Sequence, residues 1–230
     1  MTVKRAAPYL ALALISIRPA FAQQVVANWF PVHIGDRWIY QHETRDDTGR
    51  GQADLEIHHW KTEQTIVGSR AVPEGTLLEL NVQVMDGSPD RGRRVDPSPA
   101  FLIRDNCLYL TYVEWDPASH VLKPEYRAGL SAGRYAADFC FPLAVGKTWG
   151  APHWADWRPP ADAKDWQVQS ASAEPNTFHI KSISSYPGSG ETVDIWFKKG
   201  IGIVREQDVH HGTIGVIGAQ LLRFQPASSR

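Results

Sequence analysis

Cysteine is almost missing from this sequence: Cys107 and Cys140 are the two in 230 residues. Neither belongs to a CxxC pair or a Cys-His signature, which argues against a structural zinc site or a thiol redox motif. A charge of one sign is missing too. Lys and Arg number 24 against 25 Asp and Glu, a net −1 with His neutral, so nothing draws the chain to nucleic acid or an anionic membrane. Beyond the first twenty-odd residues no apolar run approaches the ~20 residues a bilayer demands. The usual catalytic signatures are lacking: there is no GxSxG, HExxH, GxxxxGK(S/T) or GxGxxG. His42-Glu43 begins like HExxH, but Asp46 stands where the second histidine belongs. Helical patterning is scarce as well. One stretch, 125–138, suggests a helix, and Gly129 and Gly133 weaken it.

What is present first is an export signal. Lys4 and Arg5 precede an apolar stretch from Ala6 to Ile17, and Ala20-Phe21-Ala22 fits cleavage before Gln23. Residues 1–22 therefore read as a signal peptide, and no cysteine at the cut points to a lipid anchor. Losing Lys4, Arg5 and Arg18 leaves 21 basic against 25 acidic residues. The expected location is periplasmic or secreted. There, two cysteines form one disulfide, Cys107–Cys140, worth ~3–4 kcal/mol for this separation on the chain-entropy model.

The strongest internal signal is a repeat. Phe30-Pro31-Val32-His33-Ile34-Gly35-Asp36-Arg37-Trp38 and Phe141-Pro142-Leu143-Ala144-Val145-Gly146-Lys147-Thr148-Trp149 share F-P-(V/L)-x-(I/V)-G-x-x-W at an offset of 111. Proline suits an approach to a sheet edge, glycine a tight turn, and tryptophan the start of a strand. A weaker echo, residues 102–110 against 196–204, reads as a hairpin in each copy. Strands are expected over 38–44, 55–67, 76–85, 166–173, 177–185, 192–198, 201–209 and 213–224, from their Val, Ile, Thr and aromatic content. The expected fold is all-β: an antiparallel barrel or sandwich built from two similar halves, about 28–125 and 139–226, within one domain, 23–230.

Three residue clusters are candidates for function. Trp149, Trp154, Trp157 and Trp166, with His153, Asp156 and Arg158, gather indoles beside polar groups, a composition suited to stacking a small apolar or saccharide-like ligand. The alternative is that these rings plug one end of the core. Glu56/His58 and Asp208/His210 each place an oxygen and a nitrogen donor two apart on a strand, so the four could meet at a metal. No spacing matches a known ligand pattern, and a bulge at His58-His59 with a hairpin tip at 210–213 is the simpler reading. Arg91-Gly92-Arg93-Arg94 could grip an anion, or be a solvated loop.

The FPLxxGxxW motif followed by Gly200-Ile201-Gly202-Ile203-Val204-Arg205 resembles exported bacterial β-rich proteins that carry a late GxGxV hairpin. The resemblance implies fold and export and transfers no catalytic residue. The expected role is a non-enzymatic binding module, without cofactor, for a small ligand or an envelope protein. A secreted hydrolase with a scattered or metal-assisted site, and a structural component of the envelope, are the alternatives.

Overall fold

Apolar and β-branched residues recurring in period two make this an almost all-strand chain. The computed structural model describes residues 24–47, 55–88, 99–110, 113–133, 135, 137–150, 166–182, 191–210 and 215–228. After one helical turn at 24–27 come β1 (Arg37–Asp47), β2 (Leu55–Val72), β3 (Gly75–Gly87), β4 (Ala100–Arg104) and β5 (Cys107–Tyr109). A small ribbon of β6 (Trp115–Asp116) and β7 (Val121–Leu122), then a helix, α1 (Pro124–Ser131), lead to β8 (Phe139–Cys140). Six more strands follow: β9 (Thr148–Trp149), β10 (Trp166–Ala171), β11 (Thr177–Ser182), β12 (Glu191–Lys198), β13 (Gly202–His210) and β14 (Gly215–Gln225).

Twelve strands form one antiparallel sheet in the order β8-β5-β4-β3-β2-β1-β14-β13-β12-β11-β10-β9. Strands of the sheet that follow one another in the chain are paired, except β8 and β9, which form its two edges, and β14 returns to pair with β1. The sheet curls into a nearly closed barrel rather than a sandwich, so that Trp38, Ile66, Leu78, Leu108, Phe139, Val168, Ile180 and Phe197 meet in one core. The seam lies between β8 and β9. There the Trp149 indole N–H is shared between the carbonyls of Ala137 and Asp138, 3.2 Å from each. Lys147 Nζ donates to the carbonyls of Cys140 and Pro142 at 2.6 and 2.7 Å. Side chains thus bind the seam where backbone pairing stops. Cys107 and Cys140 are register partners on β5 and β8 and are joined as a disulfide.

Both copies of the repeated motif adopt the same turn. Gly35 and Gly146 take positive φ, 99° and 82°, which favours glycine. Each donates its N–H to a strand carbonyl, Ile66 O at 2.8 Å or Val168 O at 2.9 Å. Ile66 and Val168 in turn donate to the carbonyls of Asp36 and Lys147. The motif tryptophans then open β1 and β9, as the sequence pattern anticipates.

Two expectations change. The helix ends at Ser131 instead of running to 138, because Gly133 turns to φ 66° and donates back to Leu130 O. The chain then folds Tyr135 onto Tyr126, ring centroids 4.5 Å apart, over Gly129, where a Cβ would lie 2.2 Å from the Tyr135 ring. This helix covers Leu77, Ala100 and Leu102 on the outside of β3 and β4, which explains why Leu77 and Leu78 are both buried on opposite faces. Nor is there a bulge at His58-His59: β2 stays in register with β1 there, and its irregularities against β3 fall at Lys61/Thr62 and Ile66/Gly68.

Candidate functional site

Alternation on β1 sends Trp38, Tyr40, His42 and Thr44 inward, and cross-strand register extends their positions around the barrel. One inward rung reads Trp60 (β2), His42 (β1), Ala219 (β14), Glu206 (β13) and Ile195 (β12). The next reads His58, Thr44, Ile217, Asp208 and Val193 on the same strands. Arg37, Arg45, Lys61, Arg205 and Arg223, on the rungs of β1, β2, β13 and β14 near these, fall at the alternate, outward positions. The barrel interior therefore has an apolar half around Trp38 and Phe197 and a polar half whose charged groups are acids and histidines.

Burial shapes the chemistry of the polar half. The His42 ring lies flat on Trp60, centroids 4.9 Å apart, with Nε2 2.7 Å from Thr62 Oγ1. Desolvation lowers its pKa to about 4, so the imidazole is neutral at physiological pH. Glu206 is pushed the other way, to about 7, first by burial and then by the negative charges of Asp138 and Asp208. The Tyr40 hydroxyl donates to Ile203 O at 3.0 Å, and burial, then the Glu206 charge, raises its pKa. Thr44 is 1 % exposed, and its hydroxyl oxygen has no hydrogen-bond partner among the described residues. A carboxyl that titrates near neutrality on the same inward rung as a neutral imidazole, with Ala219 of β14 between them, is an arrangement suited to binding or to acid–base chemistry.

The candidates from sequence scatter differently. His58 and Asp208 share the second inward rung, with Thr44 and Ile217 between them. The backbone of Glu56 pairs with Asp46, and that of His210 with Glu191 and Gly215; the side chains of Glu56 and His210 lie outside the described residues. No group of three His, Cys, Asp or Glu placed to hold a metal occurs among the described residues. Trp149 is buried in the core and is no surface platform, since its strand faces inward at the seam and its N–H is spent on backbone carbonyls. Trp166 pairs with it across β9 and β10 and packs against the same core. His153, Trp154, Asp156, Trp157 and Arg158, like Arg91 to Arg94, lie outside the described residues.

A second feature sits on the outer face. Trp196 on β12 is sandwiched between His179 on β11, ring centroids 4.8 Å apart and 11° from parallel, and Arg205 on β13, whose Cζ is 4.6 Å from the indole centroid. His179 Nε2 is anchored 2.6 Å from Asp194 Oδ1. Beside this stack is an open cleft of about 400 Å³, lined by Trp196, Arg205, Lys198, Gln220, Ser172 and Thr177 among others. Neither Glu206 nor this stack is evident from the sequence, where Trp196 and Arg205 stand out only as parts of the late hairpin.

No family model and no curated protein matches the chain. Solved structures do align with it, among them the following two. One is a Bacteroides fragilis protein described as exported with a YmcC-like fold, at 10% identity and TM-score 0.38, covering 86% of this chain and 99% of that one. The other, from Parabacteroides distasonis, is described as a lipoprotein, at 8% identity and TM-score 0.39, again covering 86% and 99%.

Proposed function

We propose that this chain is an exported binding protein that takes a small ligand, without chemistry upon it, in the polar half of its barrel interior. Export rests on the amino-terminal charged, apolar and small-residue segments and on a disulfide suited to an oxidising compartment. Binding rests on the inward rungs. Eight strands already make an interior that side chains can just fill, so twelve leave room to spare. Residues 24–32 occupy one half with Val26, Phe30 and Val32. The other half receives Tyr40, His42, Thr44, Glu206 and Asp208, whose burial costs free energy that a packed core would avoid. Between Glu206 and His42 stands Ala219, a small residue that lets both side chains reach one guest.

The test is native mass spectrometry of protein recovered from a bacterial periplasm. A small-molecule adduct is expected on the wild type and is lost in Ala219→Leu, which fills the gap while circular dichroism keeps the β signature. An adduct retained in Ala219→Leu rejects the interior site. Recovery of a protein partner in place of a small molecule favours the envelope-assembly reading.

Glu206, titrating near 7 on the rung that also carries neutral His42, favours a second reading, a hydrolase in which Glu206 is the general acid. In that case Glu206→Gln abolishes turnover while leaving ligand affinity nearly intact.

A further inference from the structure

We propose that the outer cleft beside Arg205 is a separate binding site, which takes a small polar ligand through a carboxylate group. It lies on the outer face of β11–β14 and is independent of any guest in the interior.

The stack fixes how Arg205 is presented to the cleft. Both faces of the Trp196 indole are covered, one by His179 and one by the guanidinium, so the indole offers a ligand no face to stack on. Its role is that of a spacer. The imidazole, pinned to Asp194, packs on the indole, and the guanidinium lies over the same ring with Cζ 4.6 Å from its centroid. A guanidinium held over a ring still carries its N–H donors in its own plane, where they can meet a planar acceptor edge-on. Among the described residues Arg205 has no carboxylate partner; its hydrogen bond goes to Gln207 Oε1 at 3.3 Å. It is an exposed side chain with most of its donors still available.

The cleft supplies the rest of a site. Its volume of about 400 Å³ falls within the ~300–1,000 Å³ of small-molecule pockets. Lys198 lines it as a second cation, 3.5 Å from Glu174, which also accepts from the Thr177 hydroxyl at 3.3 Å. The lining charges are thus Arg205 and Lys198 against one acid, a net positive cleft on a chain whose overall charge is −1. Gln220, the register partner of Arg205 on β14, adds an amide next to the fork. Paired in-plane donors select a planar two-oxygen acceptor, which a carboxylate is. The amide and hydroxyls suit a ligand rich in hydroxyl groups.

The experiment is calorimetric titration of the full chain with D-glucuronate. D-glucose serves as the same ring without the carboxylate, and inorganic phosphate as a non-planar oxyanion. Glucuronate is expected to bind, and more weakly as sodium chloride is added. Arg205→Gln is expected to weaken it about tenfold or more, with thermal melting unchanged. Arg205→Lys, which keeps the charge and loses the fork, is expected to lose most of the same affinity. Equal binding of glucose, preference for phosphate, no binding of glucuronate, or undiminished binding by Arg205→Gln each overturns the assignment.

Discussion

The two halves of the barrel interior are built on the same strands and obey opposite rules. Toward one end, β1 and β12 point Trp38 and Phe197 inward, where they join Phe30, Phe139 and Phe141 with ring centroids about 5–6.5 Å apart. One or two rungs further along, the inward positions carry His42 and Thr44 on β1 and Glu206 and Asp208 on β13. The apolar half gains free energy from every ring it removes from water. The polar half gives up hydration and keeps groups whose ionisation the barrel resists. A chain selected for stability alone would extend the first arrangement through the second. The polar half is therefore where a function is best sought.

The largest test of this contrast is to open a cavity in the apolar half. Phe197 is fully buried against three other phenylalanines, and Phe197→Ala is expected to cost ~3–5 kcal/mol, read as a lowered midpoint in urea. An equally large loss on truncating His42, which lies flat on Trp60 and hydrogen-bonds Thr62, would erase the distinction between the halves.

Less costly, and opposite in sign, is removal of the buried acid. Glu206 has its folded pKa raised from 4.5 to about 7. As pH rises through that window the unfolded chain ionises first, so stability is lost between about 4.5 and 7, by about 3 kcal/mol in all. His42, lowered from 6.5 to about 4, is neutral in the fold, so stability is lost as pH falls through the same region, by a similar amount. The two slopes nearly cancel between pH 4.5 and 6.5, and the wild type should show little pH dependence there from this pair. Glu206→Gln uncovers the histidine: denaturant midpoints then fall from pH 7 toward 4, and at pH 8 the variant gains up to about 3 kcal/mol, less the cost of burying the amide. A profile parallel to the wild type's would show that Glu206 is solvated and that the polar half is not sealed.

How far these features could be read from sequence depends on what surrounds each strand. The motif turns and the β4–β5 and β12–β13 hairpins were legible because glycine and asparagine mark them, and Asp105 and Asn106 do take positive φ, 49° and 64°. Tyr40, His42 and Thr44 alternate with Trp38, so their inward direction was within reach. Glu206 was not. Arg205-Glu206-Gln207-Asp208 is polar at every position, and period-two reasoning cannot say which face of such a strand is inside. Only the register does: Glu206 lies between Ile195 and Ala219, while Arg205 lies between Trp196 and Gln220. The place of Trp149 was hidden for a related reason. Trp149 and Trp166 are neighbours through strand pairing, and what decides their role is that Trp149 faces the core at the seam.

The smallest expected effect is also the most diagnostic. Thr44 presents a buried hydroxyl without a hydrogen-bond partner among the described residues, between His58 on β2 and Ile217 on β14. Thr44→Val keeps the branched shape and removes the hydroxyl. If that hydroxyl is merely stranded in the fold, the variant becomes more stable by ~1 kcal/mol, because a desolvated polar group with no compensation has been deleted. The ligand-free protein is expected to behave so. With the natural guest bound, the sign should reverse: the hydroxyl then has a partner, and the variant loses affinity while keeping its stability when empty. A hydroxyl that the empty fold pays to bury and the guest puts to use would set this half of the barrel apart from the half that only packs.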